Sequence, residues 1–244
     1  MRRILAAMTV AMLATAGSVF VALSPAEAAP CVSGSMLTYT TLYGPTAGSC
    51  TIEDKTFSNF VYRFEGGIYL PRSSVTVTPL ATPGDPGLIF AAPWVGSASP
   101  DVVSRSWIEF DVSTTSGAPL IHDAGLSVVE STTGNPGTTI AAATEVFCLN
   151  TSSTSGSCPV GDQRELDAGH FYASDSASVS FSPVSLAGVA ELFITAESID
   201  PGATAAVSSV TVQYSEVPSQ VPEPATVALL GSGLLGLRLV RHRR

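Results

Sequence analysis

Short runs of alternating apolar and polar residues fill the middle of this 244-residue chain. In one of them Val210, Val212 and Tyr214 share a face, while serine, threonine and glutamine residues occupy the other. A period of two, rich in β-branched and aromatic residues, predicts half-buried strands. Outside the two termini no long stretch has the 3.6-residue apolar period of a helix. The clearest predicted strands are residues 57–64, 74–79, 107–112, 145–149, 191–196 and 207–214.

Turn-forming residues separate these runs. Proline and glycine cluster at residues 82–87, 133–137 and 200–202, where they favour tight turns and cannot continue a central strand. About nine or ten short strands joined by such turns are typical of all-β domains. The pattern predicts a single antiparallel β-sandwich, with a jelly-roll-like arrangement as the variant that we expect.

The N-terminus has the three parts of a secretory signal peptide. Met1-Arg2-Arg3 is followed by an apolar run over residues 4–23, and the sequence Ala26-Glu27-Ala28 provides a cleavage site. We predict a signal helix over residues 1–28, which passes through the Sec translocon and is removed by signal peptidase. A retained transmembrane anchor is the alternative. Lipid attachment at Cys31 is disfavoured, because Pro30 stands where a small residue is needed.

The C-terminus combines a proline motif, an apolar run and a basic end. The motif is Pro222-Glu223-Pro224. Its two prolines cannot continue a helix or a central strand, so the motif predicts an extended segment. About 16 apolar residues follow, fewer than the ~20 that span a bilayer. The predicted boundaries are a body at 29–217, a linker at 218–224 and a short transmembrane helix with its basic tail at 225–244. The arginines that would remain cytoplasmic are Arg238, Arg241, Arg243 and Arg244.

This order of elements resembles the PEP-CTERM sorting signal of Gram-negative bacteria. The triplet at 222–224 matches its signature, residues 231–236 match its small-residue-rich helix, and residues 241–244 match its basic cluster. The resemblance implies recognition by an exosortase, an integral-membrane cysteine enzyme that removes the tail near the triplet. It also implies a precursor held transiently in the inner membrane, and then a place at the cell surface or in an extracellular matrix of exopolysaccharide.

Composition and charge exclude some functions. The chain has 32 serines and 24 threonines but only 13% charged residues, about half the usual share, so hydroxyl groups must supply much of its polar surface. The chain has a single lysine, Lys55, and a net charge of −9. An acidic chain with so few lysines is unlike a nucleic-acid-binding protein, which needs clustered basic residues. Residues 29–222 alone contain five basic and 18 acidic residues, a net charge of −13.

Four cysteines remain after the predicted processing, and an exported protein favours their oxidation. Three pairings are possible. We predict the two local disulfides, Cys31–Cys50 around a hairpin-like segment and Cys148–Cys158 around a loop rich in serine and threonine. A zinc site is the competing interpretation. The spacing of the cysteines does not match that of zinc ligands, however, and no histidine lies near either pair in the sequence.

Residues that could carry catalysis are sparse. His122 and His170 could each join a nucleophile–histidine–carboxylate set, although no Gly-x-Ser-x-Gly motif accompanies them. Carboxylates in strand-like runs could serve glycoside hydrolysis, but we expect them to be solubility charges. Loop aspartates could bind Ca²⁺, but they lack a calcium-loop spacing. We therefore predict no catalytic residue, metal or cofactor. The carboxylates considered are Glu109, Asp111, Glu145, Glu191 and Glu197 in strands, and Asp85, Asp101 and Asp200 in loops.

The two tryptophans of the chain are the candidates for a flat aromatic surface on which a sugar ring could stack. Trp94 follows Pro93 near a loop and is the better candidate for stacking on a sugar ring, whereas Trp107 lies mid-strand and is expected in the core. The main hypothesis is an exported, non-enzymatic structural or envelope protein that an exosortase sorts. A carbohydrate-binding or adhesive module, with extracellular polysaccharide as partner, is the first alternative. A secreted hydrolase is the second.

Overall fold

The computed structural model describes residues 28–98, 101–135, 138–152, 158–159, 161–170 and 175–216. It confirms that the chain is mostly β-sheet. Each of the six clearest predicted runs falls wholly or largely within a strand. The strands of the described residues are β1 (Ala29–Pro30), β2 (Gly34–Ser35), β3 (Ser49–Ile52), β4 (Lys55–Gly67), β5 (Thr76–Leu80), β6 (Gly87–Ala98), β7 (Asp101–Thr114), β8 (Ile121–Thr133), β9 (Thr139–Leu149), β10 (Gln163–Gly169), β11 (Ser176–Ser185), β12 (Ala187–Ser198) and β13 (Thr204–Glu216).

Hydrogen bonds join these strands into one large sheet with two parts. Sheet A has the strand order β1-β3-β4-β7-β12-β9-β10, and sheet B has the order β2-β5-β6-β13-β8-β11. The two parts are connected where β6 pairs with β7, between Ser97 and Val102 and between Ala98 and Asp101. All pairs are antiparallel except β1 with β3, which run parallel. Antiparallel pairing is what the short predicted turns require.

The aromatic rings of the two sheets meet in a shared core. Strand alternation points one face of each sheet inward, as for Val210, Val212 and Tyr214, which are fully buried. Ring centroids from opposite sheets lie 5.2 Å apart for Phe147 and Phe181, and 5.3 Å apart for Phe147 and Tyr214. Burying these large apolar faces against each other is the main force that holds the two sheets together.

Gly96 lies where the backbone of β6 passes close to that of β12. A Cβ atom at this position of β6 would lie 2.5 Å from the backbone oxygen of Ala196 on β12. No side chain fits at that distance, so glycine permits β6 to cross over sheet A before it turns into β7.

One helix departs from the sequence prediction. The segment between Cys31 and Cys50, expected to be hairpin-like, contains the helix α1 (Met36–Leu42). Ser35 caps it by accepting a hydrogen bond from the Thr38 amide at 3.2 Å, and Met36 and Tyr39 are its buried residues. A helix of two turns is too short for its apolar period to stand out in the sequence. A short 3₁₀ turn (Arg72–Ser74) precedes β5.

The structure does not describe the two predicted terminal segments. Only residue 28 of the signal helix at 1–28 is described, and residue 217 of the predicted body, the linker at 218–224 and the tail at 225–244 lie outside the described residues. Within the described part of the chain, no helix has the length and apolarity that a membrane crossing requires.

Candidate functional site

Both predicted cysteine pairs are disulfides. Cys31 is bonded to Cys50 on β3, with their Cα atoms 4.8 Å apart, and Cys148 at the end of β9 is bonded to Cys158, with a Cα separation of 5.5 Å. The first bond reinforces the pairing of β1 with β3, because Ala29 lies opposite Cys50. The described body therefore has its N-terminal strand fixed covalently to sheet A.

The last strand of the body is fixed by an ionic cluster, here called the tail junction, formed by Asp54, Lys55 and Glu216. Asp54 lies in the turn between β3 and β4, Lys55 begins β4, and Glu216 ends β13. The Lys55 ammonium donates to both carboxylate oxygens of Asp54, at 2.7 and 2.8 Å, and to Oε1 of Glu216 at 2.6 Å. Lys55 is fully buried, and its contacts with the two carboxylates offset the cost of removing its charge from water.

The two carboxyl groups of the tail junction differ in acidity. Burial acts to raise both pKa values. At Asp54, hydrogen bonds with Glu216 and Lys55 outweigh burial and hold the pKa below its ordinary value. At Glu216, burial and then the hydrogen bond with Asp54 raise the pKa in spite of the nearby ammonium. Glu216 is therefore the member of the pair that takes up a proton first as the pH falls.

A second buried acid lies in the core. Glu145 of β9 was expected to be a solubility charge on the surface, and this expectation is wrong, because the residue is fully buried. Its Oε1 accepts a hydrogen bond from the Tyr214 hydroxyl at 2.8 Å, and its Oε2 has no partner among the described residues. Burial raises the pKa of Glu145 to about 8, although the hydrogen bond from Tyr214 acts in the opposite direction. Glu145 is thus largely protonated at neutral pH.

The proposal of Trp94 as a sugar platform is also wrong. Its indole is fully buried in the core, and its Nε1 donates to the Ser106 hydroxyl at 3.0 Å. A ring with no exposed face cannot stack on a sugar. The cause is that β6 continues past Pro93 to Ala98, with Trp94 opposite Val207 of β13, so that Trp94 lies inside a strand and not in a loop.

Trp107, expected in the core, lies instead on the outer face of sheet A. Its strand neighbour Ile108 points into the core, so Trp107 points the other way. It is 7% exposed because the Arg63 guanidinium lies 4.1 Å from its ring centroid and covers it. On the other side Phe193 lies directly opposite, with ring centroids 6.4 Å apart.

A shallow groove of about 240 Å³ lies beside Phe193 on this outer face. Phe193 forms one wall, the hydroxyl residues Thr144 and Thr195 line it, and the ion pair between Arg105 and Glu197 closes one side. The neighbouring acids also face outward, as expected for Glu109 and Glu191, which lie directly opposite each other. Burial, and then the charge of Glu191, raise the pKa of Glu109.

The other candidate residues do not converge. His122 lies near the start of β8, whereas His170 follows β10, at the opposite end of the sheets. Asp85 accepts a hydrogen bond from Gln213 near the end of β13, whereas Asp200 binds the backbone amide of Asn135 at the far end. Asp101 begins β7. Among the residues that the structure describes, no three histidine, cysteine, aspartate or glutamate side chains are placed to hold a metal ion.

Sequence reasoning missed the tail junction, although one signal was present. A single lysine in a chain with 20 acidic residues is unusual enough to suggest a specific partner. The partner Glu216 is 161 residues away, and only the fold brings the two together.

The C-terminal segment beyond the tail junction matches a known family. A family model described as the PEP-CTERM protein-sorting motif matches residues 220–244, which begin four residues after Glu216. The matched segment includes Pro222, Glu223 and Pro224 and the four terminal arginines. No curated protein sequence matches the chain. The chain therefore carries a PEP-CTERM protein-sorting motif at its C-terminus, which is consistent with an exosortase substrate.

Proposed function

We propose that this chain is the precursor of an exported, non-enzymatic envelope protein whose body is delivered to the cell surface or extracellular matrix by an exosortase. The single observation that carries the proposal is the match of residues 220–244 to the sorting motif. Two disulfides in the body suit an oxidising compartment. The packed aromatic faces of sheets A and B support a β-sandwich as the delivered domain, with the jelly-roll-like variant as part of the proposal.

Mass spectrometry of the released protein tests this route directly. In a host that has an exosortase, the released form should begin at Ala29 and should lack everything after the Pro222-Glu223-Pro224 region. Deletion of the exosortase gene, or replacement of the triplet by three alanines, should leave the full tail on a membrane-bound form. Recovery of released protein with an intact C-terminus would contradict the proposal.

A carbohydrate-binding role is the second candidate, and the groove beside Phe193 favours it. A partly exposed aromatic ring, two threonines and a charged pair are the kinds of side chain that bind the apolar face and the hydroxyl groups of a sugar. The acidic body would repel acidic polysaccharides, so a neutral polymer is the partner that the charge favours.

Affinity electrophoresis in gels containing neutral polysaccharides, such as dextran, xylan and a soluble β-glucan, tests this role. Phe193→Ala should abolish any retardation. The matched control is Val129→Ala, which changes an exposed apolar residue of sheet B, away from the groove. If wild-type protein is retarded by none of these polymers, the carbohydrate role fails and the sorting proposal is unaffected.

A further inference from the structure

A row of outward-facing residues, here called the cross-strand row, crosses five neighbouring strands of sheet A. Residues directly opposite each other on paired strands share one face of the sheet. The row has two aromatic rings at its centre and polar residues on either side, and it connects the groove beside Phe193 with Trp107. In strand order its members are Arg63 of β4, Trp107 of β7, Phe193 of β12, Thr144 of β9 and Asp167 of β10.

Trp107 is shielded from water by a single long side chain. The Arg63 guanidinium lies 4.1 Å from the centroid of its ring, while Arg63 itself is exposed. None of the carboxylates that the structure describes lies within ion-pair distance of Arg63. The guanidinium is therefore held over the ring mainly by a cation–π contact, which is weak at an exposed site. Another group that stacks on the ring can take its place.

Hydrogen-bonding side chains flank the two rings on both sides. Side chains two positions apart along a strand point to the same face. Glu109 and Glu191 therefore lie on one side of the rings, and Arg105 and Thr195 lie on the other. A sugar has an apolar ring face and a rim of hydroxyl groups. Aromatic surface bordered by carboxylate, guanidinium and hydroxyl groups is the combination that binds both.

The angle between the rings and the charge around them define the kind of sugar polymer. The ring planes of Trp107 and Phe193 are inclined at 45°, with centroids 6.4 Å apart. Two rings at this angle cannot both lie flat on a crystalline polymer, whereas successive sugars of a single twisted chain can follow them. Glu109 and Glu191 beside the rings disfavour an acidic polymer. The ligand class is therefore a soluble, neutral polysaccharide.

We propose that Trp107 and Phe193 form two adjacent stacking positions for one neutral polysaccharide chain, and that Arg63 uncovers Trp107 when the chain binds. The inference rests on the carbohydrate-binding role proposed above and extends that site from the groove to Trp107. Once it has left the ring, the guanidinium of Arg63 can donate hydrogen bonds to the hydroxyl groups of the sugar. Binding thus exchanges one stacking partner of Trp107 for another and leaves the strands in place.

Tryptophan fluorescence tests whether a bound chain reaches Trp107. The protein is used in the form that its host exports, with Trp94→Phe so that Trp107 is the only tryptophan. Adding Arg63→Ala should raise the acrylamide quenching constant about two-fold or more, because the ring loses its cover. Saturating xylan or soluble β-glucan should reverse this increase, since a stacked sugar then covers the ring. The matched control is Arg72→Ala, which removes another exposed arginine and should not alter quenching.

Affinity electrophoresis measures how much Trp107 contributes to binding. Trp107→Ala should weaken the affinity for xylan or soluble β-glucan roughly five-fold, because one stacking position is lost. The control Val129→Ala should leave the affinity unchanged. Microcrystalline cellulose should retain far less wild-type protein than the soluble polymers do. If Trp107→Ala lowers the melting temperature of the body, the quenching experiment decides, because it keeps the ring in place.

Three results would overturn the inference while the carbohydrate role stands: Arg63→Ala leaves quenching unchanged, a bound polymer does not protect the uncovered ring, or cellulose crystals retain the protein as well as soluble chains do. Failure of the carbohydrate role itself looks different, because none of the polymers would then bind the wild-type protein. That result would overturn this inference as well and would leave the sorting proposal unaffected.

Discussion

At the scale of single residues, the buried pair of Glu145 and Tyr214 links the stability of the body to pH. A carboxyl group with a pKa of about 8 in the folded state, against an ordinary value of 4.5, binds its proton more tightly when folded. Unfolding then releases this proton at any pH between those two values. The contribution of Glu145 to stability is therefore full below about pH 4.5, falls as the pH rises, and is lost above about pH 8.

We expect Glu145→Gln to remove this pH dependence, since glutamine keeps the shape and does not ionise. The difference in unfolding free energy between variant and wild type should change by up to ~1.4 kcal/mol per pH unit from pH 5 to 8, in favour of the variant at the alkaline end. Urea denaturation at a series of pH values measures it. Parallel curves for the two proteins would contradict the burial of an ionisable Glu145.

The only lysine of the chain yields a second residue-scale prediction. Lys55 is fully buried and bound by two carboxylates, so its ammonium cannot reach a reagent in solution. An amine-reactive ester should label the folded, processed protein once, at the α-amino group, and should label it twice after denaturation. Peptide mapping identifies the positions. Rapid modification of Lys55 in the folded protein would show that the tail junction is open.

At the scale of elements, the period-two pattern predicted the central strands well, because their two faces differ in polarity. In β13 the alternation alone places Val210, Val212 and Tyr214 in the core. Two of the failures have a common cause: the pattern assigns a residue to a strand, but it does not say which side of that strand the other sheet covers. Trp107 and Glu145 were assigned to the wrong face for this reason, whereas Trp94 was placed near a loop although it lies within β6.

The disulfide between Cys31 and Cys50 gives a prediction for an element, since it holds β1 to β3. The cysteines are 19 residues apart, and closing a loop of that size contributes about 3 kcal/mol in the chain-entropy model. Replacing both by serine should lower the melting temperature by roughly 6–12 °C, as measured by circular dichroism without reductant. The matched control replaces Cys148 and Cys158, whose separation of 10 residues closes a shorter loop. A double variant that melts like wild type would show that β1 does not depend on the bond.

At the scale of the whole molecule, the all-β class and the C-terminal sorting motif could be predicted from the sequence, because each rests on a local pattern. The tail junction could not, since Lys55 at the start of β4 and Glu216 at the end of β13 are 161 residues apart in the sequence. The groove beside Phe193 could not be predicted either, because its walls come from β7, β9 and β12, which are distant in sequence.

The body should unfold as a single unit. Sheets A and B share one apolar cluster, and Trp94 of sheet B is bonded to Ser106 of sheet A. In each of the single-tryptophan variants Trp94→Phe and Trp107→Phe, the melting midpoint by fluorescence should coincide with the midpoint by far-ultraviolet circular dichroism. Separate midpoints within one variant would show that the two sheets melt independently.

The attachment of β1 to β3, and of Glu216 at the end of β13 to Lys55, also decides how the body responds to mechanical force. A precursor held in the membrane at both ends would pass tension through the hairpin formed by β3 and the start of β4. On the N-terminal side a covalent bond between Cys31 and Cys50 carries the load, whereas on the C-terminal side the load first meets an ion pair. Under tension the body would therefore yield first at the end of β13, four residues before the segment that matches the sorting motif.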